Sequence, residues 1–193
     1  VLFDSYEANV AFYDSILVEL GMPPLDAAAR ELCHRMSGPQ LWSYLCGTDD
    51  ALLAKARVVA ARADYSPFYA LMRPMPGLDE TLARLAGHCP LALATNRGRT
   101  VEGVVGRFGL DRFLSMWFGI SDVVKAKPAP DMLLACLARA EVSGVHAVYV
   151  GDSSTDRDAA AAAGVSFVGV GPRSKTIHRI ADIRQLPQIL DVR

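Results

Sequence analysis

The chain as a whole lacks a large excess of one charge, and that absence narrows the partners. The 193 residues include 20 basic and 21 acidic side chains, a formal net charge of −1. Nothing in that balance attracts nucleic acid or an anionic membrane as the main partner. Long hydrophobic runs are missing too: no apolar stretch approaches the length of a membrane span. Val1 to Val10 does not read as a secretory leader, so a cytoplasmic home is the default expectation. The four cysteines, Cys33, Cys46, Cys89 and Cys136, show neither CxxC spacing nor a dense framework. They read as reduced small hydrophobes rather than zinc ligands or disulfides. There is no internal repeat, and the only biased segment is a run of alanines. What is present is enough chain for one domain with a real core, or for a domain carrying an insertion.

The most informative stretch is Tyr149 to Gly164, YVGDSSTDRDAAAAAG. His146 to Val150 is a short, largely apolar run of the kind a buried parallel strand shows, and it stops at Gly151 and Asp152. Ser153, Ser154 and Thr155 are natural N-caps. Asp156 and Asp158 suit the positive first turn of a helix, five alanines propagate it, and Gly164 closes it. Asp152 is thereby placed at the carboxyl end of a strand, the edge at which open α/β sheets bind ligands. Oxygen donors on a loop beside a helix N-terminus suit Mg²⁺ and a phosphate. The plainer alternative makes Asp152 and Asp156 turn and capping residues.

Taken in order, Val1 to Asp4 repeats the pattern of an apolar run ending in a carboxylate. From Asn9 to about Leu71 the periodicity is helical. Expected helices follow Asn9 and cover Leu25–Met36, Gln40–Leu45, Asp50–Ala61 (capped by Thr48 or Asp49) and Pro67–Leu71. Trp42, Tyr44, Tyr65, Phe68 and Tyr69 in this block read as core packing. Pro74, Pro76 and Gly77 form a linker signal, after which helix and buried strand alternate. Strands are expected at Leu91–Ala94, Met116–Ile120, His146–Val150 and Val165–Val170. Helices are expected at Gly77–Leu85, Arg99–Phe108, Pro130–Ala140, Thr155–Ala163 and Ile183–Leu190. Strands separated by helices of about ten residues imply right-handed crossovers and a parallel sheet.

Two further spots fall at the same sheet edge. Thr95 and Asn96 directly follow LALA, where a hydroxyl and backbone amides can hold phosphate oxygens, although a plain N-cap explains Thr95 equally well. In Lys125 to Asp131, KAKPAPD, the prolines stiffen the segment and fix the direction of a lysine that precedes them. Lys125 itself reads as a solvated surface residue.

The ordered set LALATN, KPAPD and VGDSSTDRDAAAAAG resembles the haloacid dehalogenase superfamily, in its phosphoglycolate-phosphatase-like branch with a helical cap. The resemblance covers nearly the whole chain. It implies a three-layer α/β core with a Rossmann-like parallel sheet, residues 1–6 and 74–193, into which an all-helical cap, residues 7–73, is inserted. By resemblance Thr95 is the phosphate-binding hydroxyl with Asn96 beside it, and Lys127 is the lysine that binds phosphate and nucleophile. Asp152 is a Mg²⁺ ligand, and Asp156 is the acidic residue that supports the metal shell. The implied activity is Mg²⁺-dependent hydrolysis of a small phosphorylated metabolite through an aspartyl-phosphate, by a monomer or homodimer.

The first family motif, an apolar strand followed by DxDG and later by a DS pair, is incomplete: the chain has only VLFDSYEAN. In one register Asp4 is the nucleophile and a metal ligand, with Tyr6 where the second acid belongs. In another, Asp4 and Ser5 are the later DS pair. In a third, residues are missing between Asp4 and Ser5. Removing the central strand would bare two inner edges of the sheet, which favours Val1 to Asp4 as that strand and Asp4 as the nucleophile. A phenol with a pKa near 10 is a weak general base near neutral pH, so the first register leaves acid–base catalysis impaired. A non-catalytic binding protein on the same fold is the alternative. A dehalogenase needs no metal, and the pair Asp152 and Asp156 argues against it.

Overall fold

The structure is a computed structural model that describes residues 1–33, 36–172, 174 and 176–192. The chain divides into two compact units, Phe3–Arg73 and a larger one made of Val1–Leu2 with Pro74–Arg193.

The smaller unit is helical. A two-residue strand, β1 (Phe3–Asp4), leads into α1 (Tyr6–Leu20), followed by α2 (Ala27–Leu32), α3 (Gly38–Cys46), α4 (Asp50–Arg62) and a 3₁₀ segment, Ser66–Leu71. The strand β2 (Arg73–Pro74) closes the block. Local capping sets these boundaries. Asp26 accepts the Ala29 amide and Asp49 the Leu52 amide, while Gly21 ends α1 in the left-handed conformation. The second helix is shorter than the expected Leu25–Met36, and residues 34 and 35 of that span lie outside the described residues. Trp42 and Tyr65 are buried, and Phe12 packs edge-on against Tyr13 and Phe68, so the aromatics do build the core. Tyr44 is the exception, exposed on the outer face of α3.

The larger unit alternates as expected of an α/β core. It runs through α5 (Leu78–Ala86), β3 (Ala92–Ala94), α6 (Val101–Arg107), β4 (Met116–Phe118) and α7 (Asp131–Ala140). It continues with β5 (Val148–Gly151), α8 (Ser154–Ala163), β6 (Ser166–Val170), β7 (Arg179–Ile180) and α9 (Leu186–Ile189). All the pairings β3–β4, β5–β6 and β6–β7 are parallel. The short β7, which the apolar periodicity did not signal, pairs Gly169 with Arg179 and Val170 with Ile180. Helices α7 and α8 supply the core against the strands, through Met132, Leu133, Ala159 and Ala160 packed with Ala94 and Val165.

One expectation is overturned. Val1 to Asp4 is not a central strand flanked on both sides: β1 pairs with β2, and the parallel strands form two separate groups, β3–β4 and β5–β6–β7. The pairing β1 adopts is two residues long and ends at Pro74, which has no amide hydrogen with which to extend a ladder. Beside it the Leu2 carbonyl accepts the Met75 amide at 2.9 Å. Among the described residues β3 pairs with β4 alone and β5 with β6 alone, and Ala92 of β3 and Val148 of β5 are exposed.

Candidate active site

The site grows from the first turn of α8. Ser153 caps the helix by accepting the Asp156 amide at 3.2 Å, and Asp156 answers by accepting the Ser153 amide at 3.2 Å and its hydroxyl at 2.6 Å. This is a capping box with aspartate in the acidic position. It also draws the Asp156 side chain onto the end of β5. A Cβ on Gly151 would stand 2.4 Å from the Asp156 Cβ, so only glycine lets strand and helix approach this closely.

The other oxygen of Asp156 lies 2.7 Å from the Lys127 ammonium and accepts the Tyr149 hydroxyl at 3.0 Å. Lys127 and Asp156 are both buried, with side-chain exposures of 8% and 10%. The ammonium also donates to the Ala94 carbonyl at 2.9 Å and to Tyr149 Oη at 2.7 Å. Burial alone would raise the Asp156 carboxyl. The Lys127 charge and the hydrogen bonds from Lys127, Ser153 and Tyr149 more than offset it and hold the pKa below the usual carboxylate value. Burial, reinforced by the Asp156 charge, pushes the Tyr149 phenol well above its usual value, so the hydroxyl keeps its proton.

Asn96 holds this lysine from behind. Its Nδ2 donates to the Lys127 carbonyl and its Oδ1 accepts the Lys127 amide, each at 3.1 Å. The side chain expected to bind substrate is thus engaged in fixing the lysine's backbone. Thr95 extends the ladder beyond β3, its amide donating to the Phe118 carbonyl at 3.0 Å. Its Oγ1 accepts the Arg97 amide at 3.3 Å, and among the described residues no acceptor takes its proton. Lys125 is exposed, as expected.

Thr95, Asn96, Lys127 and Asp156 therefore converge at the carboxyl ends of β3 and β5. Asp152 sits at the same end of β5, its Oδ2 3.9 Å from the Val1 amino nitrogen, with 41% of its side chain exposed. Asp4 is exposed in the helical unit, its carboxylate accepting the Tyr6 amide at 3.1 Å. Its neighbour Ser5 stands at the N-cap position of α1. Its reading as the end of a central strand falls with the pairing of β1. Sequence reasoning missed Tyr149. The signal was there: a tyrosine in a buried strand must give its hydroxyl a partner.

The donor set fits Mg²⁺ through one residue. No group of three or more His, Cys, Asp or Glu side chains suited to a metal occurs among the described residues. Asp156, expected to support the metal shell, accepts four protein hydrogen bonds, which engages all the lone pairs a carboxylate offers. It serves as the lysine's counter-ion and as a helix cap. Asp152 is a half-open carboxylate at the strand end, and Mg²⁺ is commonly held by one or two carboxylates with waters and substrate oxygens.

The family model for haloacid dehalogenase-like hydrolases matches residues 1–170. A phosphoglycolate phosphatase of Pseudomonas putida is 32% identical over 178 residues, covering 88% of this chain and 65% of that protein. The tyrosine-protein kinase PtkA of Mycobacterium tuberculosis is 30% identical over 174 residues, covering 88% and 58%. The chain thus spans about two thirds or less of the length of these curated relatives. Among solved structures, a HAD-superfamily hydrolase of subfamily IA from Geobacter sulfurreducens superimposes with a TM-score of 0.78 at 31% identity, covering 98% of this chain and 91% of that one. CbbY from Rhodobacter sphaeroides, solved with phosphate, has the same fold, with a TM-score of 0.79 at 19% identity over 96% of this chain and 92% of that one. No helix among the described residues is long and apolar enough to cross a membrane.

Proposed function

The chain belongs to the haloacid dehalogenase-like hydrolase family, and from that premise we propose that it serves a phosphatase acting on a small, phosphoglycolate-like phosphomonoester with Mg²⁺. The observation that carries the reading is the buried Lys127–Asp156 pair, 2.7 Å apart, at the strand ends that also present the free proton of Thr95 and the open carboxylate of Asp152.

Each residue takes a definite part. Thr95 donates its hydroxyl proton to a phosphoryl oxygen. Asn96 fixes the backbone of Lys127, whose charge lies in a low-dielectric setting where it stabilises an anion more strongly than it would in water. Asp156 orients the ammonium. Asp152 would hold Mg²⁺, which supplies neutralisation of charge on the phosphoryl oxygens. Asp4 is not given the nucleophile's part, because β1 pairs with β2 and ends no strand between β3 and β5.

That last observation favours a second reading: a protein on this fold that binds a phosphorylated ligand without turnover. An assay over a panel of phosphomonoesters, with and without Mg²⁺, separates the two. Mg²⁺-dependent release of phosphate supports the phosphatase. Saturable binding of the same compounds without release supports the binding protein, and neither result would remove both.

A further inference from the structure

An ammonium has three protons, and all three of Lys127's are engaged within the fold, by Ala94 O at 2.9 Å, Tyr149 Oη at 2.7 Å and Asp156 Oδ1 at 2.7 Å. For Lys127 to donate to a ligand, one of these acceptors must give way. Ala94 O belongs to β3, whose backbone is fixed by its pairing with Phe118. Asp156 carries the counter-charge and is locked by Ser153. Tyr149 Oη is different in two respects. It is the one acceptor of the three on a neutral hydroxyl, a weaker partner for an ammonium than a carboxylate. It also has a second role to fall back on, since its oxygen lies 3.0 Å from Asp156 Oδ1 and 3.1 Å from Ala94 O, either of which can accept its proton.

We propose that the Tyr149 hydroxyl is a resident stand-in for a ligand oxygen: a tetrahedral oxyanion held at Thr95 takes the Lys127 proton that Tyr149 now accepts. The exchange leaves no buried group unsatisfied, because Tyr149 continues to donate. Thr95 directly follows Ala94, whose carbonyl is one of the lysine's present acceptors, so the two groups the anion would use stand at the end of the same strand. The inference rests on the phosphate reading of the site and adds a competitor to it.

The test is the affinity of Tyr149→Phe for inorganic phosphate, measured by calorimetry beside the native chain. The ring stays, with its packing near Phe167, and only the competing oxygen goes. The expected result is binding about tenfold tighter than native, the order of difference between a charged and a neutral hydrogen bond. The gain should vanish in Tyr149→Phe combined with Thr95→Val. A residue that merely supports the fold would weaken binding when altered, so equal or weaker affinity overturns the proposal. Equal, Thr95-dependent binding in both proteins would overturn the stand-in while leaving the phosphate reading intact. Absence of binding in both would overturn the stand-in as well, and the phosphomonoester panel then decides the phosphatase reading on its own. Should the variant fail to fold, the native chain answers alone. The Lys127 ammonium resonance in a ¹H–¹⁵N spectrum should shift on adding phosphate, and an unmoved resonance would refute the exchange.

Discussion

Two parts of one sheet edge behave in opposite ways. Around Lys127, every polar atom is matched: Asp156 accepts four hydrogen bonds, the ammonium donates three, and both side chains are buried. At Thr95 and Asp152 the polar atoms are open, one with an ungiven proton and the other with a half-exposed carboxylate. The first group stores charge in a fixed place, and the second has capacity left for a ligand. A residue's membership of a motif therefore does not say which kind of work it does; its remaining hydrogen-bonding capacity does.

The sharpest way to break the closed half is to remove one of its charges. Lys127→Ala should destabilise the larger unit by about 3–5 kcal/mol, because it leaves a buried carboxylate without its counter-charge. Replacing both partners, with Lys127→Met and Asp156→Leu, should recover much of that loss. Urea unfolding measures both, and a single variant that costs less than about 1 kcal/mol would mean that the pair is not buried in solution.

A smaller effect is expected at Gly151→Ala. The new methyl would meet Asp156 Cβ and Cγ, at 2.4 and 2.8 Å, so α8 must shift at a cost of about 1–3 kcal/mol. Near-native stability in that variant would show that the helix end is not held as closely to the strand as the comparison requires.

The pH dependence separates the halves without mutation. The Asp156 pKa lies below its ordinary 3.8, so its stabilising contribution is complete above that value and is lost as pH falls through the folded pKa. Tyr149 lies above its ordinary 10.0, so its contribution is present below pH 10 and is lost as pH rises toward the folded pKa. Thermal unfolding across the pH range should therefore weaken at both extremes in the native chain. Tyr149→Phe should lose the alkaline limb more than the acid one.

Much of the closed half was legible because its signals are local. The sequence from Gly151 to Gly164 spells a strand end, a cap, a first-turn acid and a helix stop within fourteen residues, and all of them form. Lys127 was legible from the prolines that follow it. The role of Asn96 was not, since an amide that clamps the backbone of residue 127 depends on contact 31 positions away. Asp4 was misread for a related reason. An apolar run ending in aspartate looks the same whether it lies in a sheet's centre or in a two-residue pairing with Arg73–Pro74, and only long-range partners decide between them. Tyr149 disappeared into an apolar run because strand periodicity reports the ring and ignores the hydroxyl.

The smallest expected effect on stability is at Asp152, whose side chain is 41% exposed, and there the central contrast can be tested most directly. Mg²⁺ binding by calorimetry should be seen in the native chain, persist in Asp156→Asn and disappear in Asp152→Ala, with Asp152→Ala melting within a few degrees of native. Loss confined to Asp156→Asn, or unchanged affinity in Asp152→Ala, would contradict the division of the edge into a closed lysine clamp and an open metal carboxylate.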